Sequence, residues 1–181
     1  MILKLLKKHG YFKKIYEFGG GDSCFYESFR KIYKDSAYIV FDASLNGVNA
    51  FNNNFANIAP HNQKAFLCDL LTWHFKASAD CCFSVGLIEH FDKTHTKIIC
   101  KKHFDSVKSG GIVLITYPTP TLFYRFIRGT LEYFNHWEFK DERALRFEEV
   151  NANCAEFGEL VEVKLNFYIG LTQEILVYKK Y

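Results

Sequence analysis

The sequence lacks the signatures of several common classes of protein. Its six cysteines form no CxxC pair and no grouping with histidine at metal-ligand spacing, so no metal site is predicted. No apolar run approaches the ~20 residues that a membrane span requires, and the run at the N-terminus is too short for a signal peptide. We therefore expect a cytoplasmic protein whose cysteines are buried free thiols.

The sequence also lacks a concentration of charge of one sign. The formal net charge is +3, and the lysines and arginines are scattered along the chain. A surface that follows a phosphate backbone usually needs clustered basic residues, so this distribution disfavours nucleic acid as the main partner. With 181 residues the chain is predicted to form a single domain over 1–181, as a monomer or a homodimer.

The apolar residues that are present predict alternating strands and helices. Five nearly continuous apolar runs are typical of strands covered on both faces of a parallel sheet: 14–18, 37–41, 64–68, 80–85 and 111–117. Two later runs, joined by a short glycine-containing turn, predict an antiparallel hairpin at 161–169 and 173–178. The fold class is thus α/β, a doubly wound, mostly parallel, Rossmann-like sheet of seven strands that ends in an antiparallel hairpin.

Helices are predicted on both faces of this sheet. Apolar residues at helical spacing indicate one helix near 25–33, capped by Asp22 or Ser23, and a weaker one over 43–57. A third helix contains Cys100, Phe104 and Val107 and is expected to end at the glycines of 109–111. Residues 1–13 predict an N-terminal helix, and residues 119–158 a helical insertion after the fifth strand.

The stretch KIYEFGGGDSCF, residues 14–25, places three glycines directly after the first predicted strand. Ligands of open parallel sheets bind outside the carboxyl ends of the strands, so this loop indicates a nucleotide site. A phosphate-binding P-loop would need GxxxxGK followed by Ser or Thr, and that pattern is absent. A dinucleotide site of the GxGxxG type would need glycine in place of Cys24. An NAD-dependent oxidoreductase is therefore a weaker alternative.

A third kind of site matches several motifs at once. EFGGGDS resembles the first motif of the class I S-adenosylmethionine-dependent methyltransferases at Glu17, Gly19 and Gly21, with Ser23 in place of the third glycine. DCCFSVGLIEHF, residues 80–91, is similar to the family motif around the methionine end of the cofactor. VKSGGIVLITYP, residues 107–118, resembles the Gly-Gly turn and fifth strand that come next in the family. The chain looks like a small-molecule member of this family, similar to methyltransferase type 11.

The resemblance implies a site for S-adenosylmethionine at the ends of the strands. Asp42 corresponds to the acidic residue whose carboxylate accepts hydrogen bonds from both ribose hydroxyls, and Asp69 to the acid or amide near the adenine amino group. Glu17 has a supporting role near the aminoacyl end. The implied cofactor-binding residues are Glu17, Gly19, Gly20, Gly21, Asp42, Ala43, Asp69, Leu70 and Val85.

His90 is the candidate catalytic residue, because it comes after the fourth strand in LIEHF. A neutral imidazole can remove a proton from an attacking hydroxyl, which a poor nucleophile requires. The alternatives are that His90 lines the pocket, caps a helix or orders a loop. Glu89 beside it fits the start of a helix equally well.

The residues after the fourth strand also predict the kind of acceptor. Amine-methylating relatives often carry an Asn or Asp followed by Pro-Pro and an aromatic residue there, whereas this chain has SVGLIEHF. The expected acceptor is therefore a small molecule, with a hydroxyl of a saccharide or other polar metabolite preferred. A non-catalytic S-adenosylmethionine-binding module is the second alternative to an enzyme.

The helical insertion is expected on the acceptor side. Its aromatic residues, with Arg125, Arg128 and Lys140, suit an apolar lid with basic contacts. An aromatic stripe at helical spacing is more often part of a core or a dimer contact, and that interpretation is the stronger one. A peripheral membrane contact is the least favoured interpretation.

Overall fold

The structure, a computed structural model, describes residues 1–55, 62–137, 141–167 and 172–181. Within these residues the strands are β1 Lys14–Phe18, β2 Ala37–Asp42, β3 Gln63–Leu67, β4 Ala79–Val85, β5 Val107–Pro118, β6 Gly158–Asn166 and β7 Gln173–Lys180. The helices are α1 Ile2–Lys7, α2 Tyr26–Ile32, α3 Leu45–Phe55, α4 Lys93–Ser106, α5 Leu122–Tyr133 and α6 Phe147–Cys154. A 3₁₀ turn spans Ile88–His90.

The described strands form one sheet in the order β3-β2-β1-β4-β5-β7-β6. The pairs from β3 to β5 are parallel, whereas β7 is antiparallel to both β5 and β6. The predicted fold class is confirmed. Because the chain order of the strands reverses between β1 and β4, the loops after these two strands diverge and open a crevice at the carboxyl edge of the sheet.

Two apolar layers cover the sheet, one on each face. Neighbouring residues on β4 show this directly, since Cys81 packs in the layer that contains Phe83 and Cys82 packs in the layer that contains Phe104. Successive residues of a strand point to opposite faces, so the adjacent cysteines lie in different layers. All six cysteines are free thiols, and Cys24 alone among them is exposed.

The helix predicted to end at the glycines of 109–111 ends earlier. α4 finishes at Ser106, and Val107 is already paired with Ala79 as the first residue of β5. The prediction that Val107 is helical was therefore wrong. The β4–β5 pairing shifts register between Ala79 and Cys81, and Gly110 adopts a φ of 75° beside this irregularity. Pairing in the sheet thus overrides the helical spacing of Val107.

The other predicted helices are present with shorter bounds. α2 and α3 lie inside the predicted segments, and residues 56 and 57 of the second segment are outside the described residues. The N-cap residue of α2 is Phe25, so the prediction that Asp22 or Ser23 caps this helix was wrong, although Ser23 Oγ accepts a hydrogen bond from the backbone N–H of Tyr26 at 3.2 Å. α1 occupies only part of 1–13, and the insertion at 119–158 contains α5 and α6.

The C-terminal hairpin closes one side of the sheet, with β6 as its edge strand. Residues 168 and 169 of the first predicted strand and residues 170 and 171 of the predicted turn lie outside the described residues. Val161, Val163 and Leu165 of β6 remain 39%, 40% and 44% exposed. In the described part of the chain, no helix combines the length and apolarity needed to cross a membrane.

Candidate functional site

The glycine loop lies at the carboxyl edge of the sheet, directly after β1. Gly19 and Gly21 have φ values of 67° and 55°, a left-handed region that glycine adopts without steric cost. The Gly19 N–H donates to the carbonyl of Phe41 at 2.9 Å, and the Gly21 N–H donates to Asp42 Oδ2 at 2.7 Å. These bonds bring the glycines of the first motif to the end of β2, as the resemblance implies.

Close packing beneath the loop leaves no room for side chains at two glycines. A β carbon at Gly19 would lie 2.7 Å from Leu87 Cδ1, and one at Gly20 would lie 2.5 Å from Glu17 Cδ. At Gly21, by contrast, a β carbon would meet no atom within 4 Å. The loop is therefore packed on its inner side and has open space at Gly21.

The first turn of α3 also contacts the loop. A β carbon at Gly47 would lie only 2.8 Å from the Cα of Gly21, a backbone atom that cannot rotate away. Ser44 fixes this turn, since its Oγ accepts a hydrogen bond from the Gly47 N–H at 3.2 Å. Gly47 is a residue of the site that sequence reasoning missed.

Glu17 is buried under the loop and is 3% exposed. Its Oε2 accepts hydrogen bonds from the hydroxyl groups of Ser23 and Tyr38, the second at 2.7 Å. Burial raises the pKa of this carboxyl to about 7, although both hydrogen bonds act to lower it. The carboxyl thus links the loop to β2 from below, and its role toward a cofactor stays a prediction.

The raised pKa of Glu17 predicts a pH-dependent stability. Between its usual pKa of 4.5 and about 7, the native protein holds a proton that the unfolded chain releases, so the free energy of unfolding falls as pH rises. At about 1.4 kcal/mol per pKa unit, the loss attributable to this carboxyl is on the order of 3 kcal/mol. Denaturant unfolding of the intact protein and Glu17→Gln, from about pH 5 to about pH 8, measures it.

In Glu17→Gln the amide oxygen still accepts both hydroxyls, so this part of the pH slope disappears while the fold is kept. Glu27→Gln, on the exposed face of α2, is the matched control and keeps the full slope. An unchanged slope in Glu17→Gln would show that the carboxyl is ionised in the native protein. Glu89, a second buried carboxyl with a raised pKa, contributes in the same direction and remains in both variants.

Asp42 connects three backbone segments at the end of β2. Besides Gly21, it accepts the N–H of Ser44 on Oδ1 at 2.7 Å, and its own carbonyl accepts the N–H of Cys68 at 2.8 Å. Its side chain is half-buried, and Ala43 beside it is exposed. A carboxylate offers about four lone-pair sites, so Asp42 retains capacity for further donors.

Asp69 lies beyond the end of β3 and organises a turn. Its Oδ1 accepts the N–H of Leu71 at 2.9 Å, and its Oδ2 accepts the hydroxyl of Thr72 at 3.2 Å. Asp69 is exposed, whereas Leu70 is 6% exposed and packs in the core. Asp69 therefore faces the crevice edge, and Leu70 is a structural neighbour whose cofactor role stays a prediction.

The loop after β4 carries a buried carboxyl. Val85 is the last residue of β4, and Gly86 comes next with a φ of 65°. Glu89 is 2% exposed, and its Oε2 has no hydrogen-bond partner among the described residues. Burial raises the pKa of Glu89 to about 8, with further contributions from Glu142 and Asp141.

His90 forms a hydrogen-bonded pair with a residue far along the chain. Its Nδ1 lies 3.0 Å from Asp141 Oδ2. An ionised carboxylate only accepts, so Nδ1 carries the hydrogen that is shared with Asp141. This hydrogen bond lowers the pKa of Asp141, which keeps that carboxyl ionised.

Arg143 holds the segment that presents Asp141. Its backbone N–H donates to the carbonyl of Glu89 at 2.9 Å, and its Nε donates to the carbonyl of Phe91 at 2.8 Å. The guanidinium also reaches Thr96 Oγ1 and Glu149 Oε1, both at 3.0 Å. Asp141 and Arg143 were missed in the sequence, although the run of charges DER at 141–143 comes after an aromatic segment and is a usable signal.

The basic residues predicted for a lid have different surroundings. Arg128 donates to Glu132, to the hydroxyl of Tyr124 and to the carbonyl of Glu142, so it fastens α5 to the segment after it. Arg125 is exposed, and Lys140 lies outside the described residues. Arg128 thus has a structural role in this conformation.

Comparisons with known proteins identify the fold. No family model and no curated protein matches the chain. The N-methyltransferase NodS from Bradyrhizobium japonicum, in complex with S-adenosyl-L-homocysteine, matches 99% of this chain and 83% of its own, with a TM-score of 0.75 and 13% identity. Magnesium protoporphyrin IX methyltransferase from Synechocystis, with bound S-adenosylhomocysteine, matches 99% and 79%, with a TM-score of 0.77 and 9% identity.

The S-adenosylmethionine-dependent methyltransferase SibL, in its apo form, has a TM-score of 0.77 and 16% identity, and the match covers 99% of this chain and 53% of SibL. The chain therefore has the class I methyltransferase fold.

Proposed function

We propose that the protein is an S-adenosylmethionine-dependent methyltransferase that acts on a hydroxyl of a small molecule. The observation that carries the proposal is the bond between Gly21 and Asp42, which joins the glycine loop to the ribose-binding position expected at the end of β2. Similar folds with bound S-adenosylhomocysteine support the same cofactor class.

The residues present fit this cofactor. Gly21 leaves open space where a side chain would otherwise project, and Asp42 keeps acceptor capacity for ribose hydroxyls. Asp69 is exposed at the same edge and offers carboxylate oxygens to an adenine amino group. Gly19, Gly20, Ala43 and Val85 supply loop and strand-end contacts. When bound, S-adenosylmethionine supplies an electrophilic methyl group attached to a sulfonium.

His90 and Asp141 are the groups that act on the acceptor. A hydroxyl is a poor nucleophile, and His90 is the candidate to receive its proton while Asp141 orients the ring through Nδ1. Methyl transfer otherwise depends on alignment, which the loops of the crevice provide. The free thiols support a reducing, cytoplasmic compartment for this reaction.

The hydroxyl acceptor is tested by removing the base. His90→Asn is expected to lower kcat by about 100-fold, the lower end of the range for general base catalysis, with little change in affinity for S-adenosylhomocysteine. Asp141→Asn is expected to lower kcat by less, because His90 is kept and loses only the carboxylate that orients its ring through Nδ1. Transfer of a labelled methyl group to a panel of hydroxyl compounds supplies the rates.

His95→Asn is a matched control, since His95 Nδ1 lies 2.8 Å from Asp92 Oδ2 in a similar pair on the exposed start of α4. If kcat is unchanged in His90→Asn, His90 does not act as a general base. The acceptor would then be a better nucleophile than a hydroxyl.

A further inference from the structure

A small apolar cavity lies between α1 and the carboxyl edge of the sheet. Its volume is about 190 Å³, and the residues that line it are Met1, Ile2, Leu3, Phe25, Val85, Asn166, Gln173 and Ile175. Ile2, Leu3, Phe25 and Val85 are half-buried and pack against the core, so the wall of the cavity is anchored while part of it remains accessible. The first turn of α1 forms the cover.

The cavity is at the same edge of the sheet as the glycine loop. Val85 ends β4 immediately before Gly86, and Phe25 comes after the glycine loop at the start of α2. Gln173 begins the antiparallel strand β7 and pairs with Pro118 at the end of β5 and with Asn166 at the end of β6. The cavity therefore lies at the carboxyl ends of β4 and β6 and at the adjoining start of β7.

Val85 connects this cavity to the proposed reaction. It lines the cavity wall and is also an expected cofactor residue at the methionine end. His90 lies only five positions later in the chain, on the turn that leaves the same strand. The cavity therefore lies at the strand end from which the turn that carries His90 departs.

The residues that line the cavity determine which chemical groups can bind in it. Six of the eight lining residues are apolar, and the two amides of Asn166 and Gln173 are the polar groups among them. An apolar cavity of ~150 Å³ is large enough to bind benzene, so this volume suits one aromatic ring or a short branched alkyl group. A free saccharide would leave most of its hydroxyls unpaired against apolar walls, at a cost of about 1–3 kcal/mol for each.

We propose that this cavity binds the apolar part of the acceptor, so that the substrate class is a hydroxyl compound built on a compact ring or branched alkyl group. The inference rests on the proposed function and narrows it, because it replaces the saccharide expected from the sequence with an amphipathic acceptor. Leu3 and Phe25 are then specificity-determining residues, since their side chains set the size of the cavity.

The test uses phenol and 2-naphthol as probes, with methyl glucoside as the polar comparison. Chemical-shift titrations are run on the intact protein with and without saturating S-adenosylhomocysteine. Phenol is expected to bind saturably, and methyl glucoside is expected neither to bind nor to displace it. Leu3→Trp, which fills the cavity, is expected to weaken phenol binding at least about tenfold, since the ring loses the space it occupies.

Two further variants distinguish an effect on the cavity from damage to the fold. Phe25→Ala enlarges the cavity and is expected to raise the affinity for 2-naphthol relative to phenol, an effect that damage to the fold would not produce. Leu122→Trp, at a position on α5 that is 86% exposed and outside the cavity, is expected to bind phenol like the intact protein.

The outcomes distinguish a failure of this inference from a failure of the proposed function on which it rests. The inference is overturned if Leu3→Trp binds phenol as tightly as the intact protein, or if the protein binds methyl glucoside in preference to phenol. In either case, binding of S-adenosylhomocysteine still supports the proposed methyltransferase function. No binding of S-adenosylhomocysteine by the folded protein overturns the proposed function. The titration without cofactor then still decides whether the cavity takes an apolar ring.

Discussion

Asp42→Ala is expected to weaken the binding of S-adenosylhomocysteine by about 100-fold, since hydrogen bonds to a charged group contribute about 1.5–3 kcal/mol each. The ribose hydroxyls lose their acceptor. The loop is also released, because Asp42 Oδ2 holds the Gly21 N–H at 2.7 Å and Oδ1 holds the Ser44 N–H at 2.7 Å. Calorimetric titration of the intact and variant proteins measures the difference.

Two variants show which part of the Asp42 effect belongs to the carboxylate. Asp42→Asn keeps one oxygen acceptor and is expected to bind with an affinity between those of the intact protein and the alanine variant. Asp22→Ala removes an exposed carboxylate from the glycine loop itself and is expected to leave the affinity unchanged. If Asp42→Ala is folded and binds S-adenosylhomocysteine as tightly as the intact protein, the ribose site is not at the end of β2.

Gly47→Ala is expected to weaken the binding of S-adenosylhomocysteine at least about tenfold and to destabilise the fold by about 1–3 kcal/mol, the usual cost of overpacking. The new methyl group would lie 2.8 Å from the Cα of Gly21. Either α3 or the glycine loop has to move, and movement of the loop would break the hydrogen bond between the Gly21 N–H and Asp42. Calorimetry and denaturant unfolding on the same preparation measure both effects.

Gly129→Ala is the control for this substitution. Gly129 is also helical, but a β carbon there would meet no atom within 4 Å. Alanine is favoured over glycine in a helix by about 1 kcal/mol, so this variant is expected to be slightly more stable than the intact protein, with unchanged affinity. Equal behaviour of the two variants would mean that α3 does not support the loop.

The sheet could be predicted from the sequence because its signals are local. The strands β1 to β5 are nearly continuous apolar runs, and the structure pairs all of them in the predicted parallel arrangement. The glycine loop and Asp42 were also found, since each lies at the carboxyl end of a strand. The carboxyl ends of parallel strands meet at one edge of the sheet, so residues that follow these strands are expected to lie near one another.

The remaining features depend on contacts between distant segments. His90 and Asp141 are 51 positions apart, and the run of charges at 141–143 does not indicate which residue it contacts. Gly47 touches Gly21 only because α3 folds back over the loop. Val107 has the spacing of a helical residue, but its pairing with Ala79 places it in β5. Packing of this kind is set by the tertiary fold, and a single sequence does not display it.

The size and lining of the cavity under α1 belong to the same category. Ile2 and Leu3 are separated in the chain from Val85 and Ile175, and only the fold brings them around one space. The sequence accordingly predicted a polar acceptor from the motif after β4. Because the wall of the cavity is apolar, the acceptor that we propose instead carries a ring or a branched alkyl group.

Calorimetric titration of the intact protein with S-adenosylhomocysteine, with NAD as the comparison ligand, is the decisive test of the proposed cofactor site. We expect saturable binding of S-adenosylhomocysteine at one site in each chain and no heat from NAD. Binding of NAD without S-adenosylhomocysteine would contradict the proposal and would make the glycine loop a dinucleotide site. Absence of binding by either ligand to the folded protein would contradict it as well, and the glycines would then serve only the turn between β1 and α2.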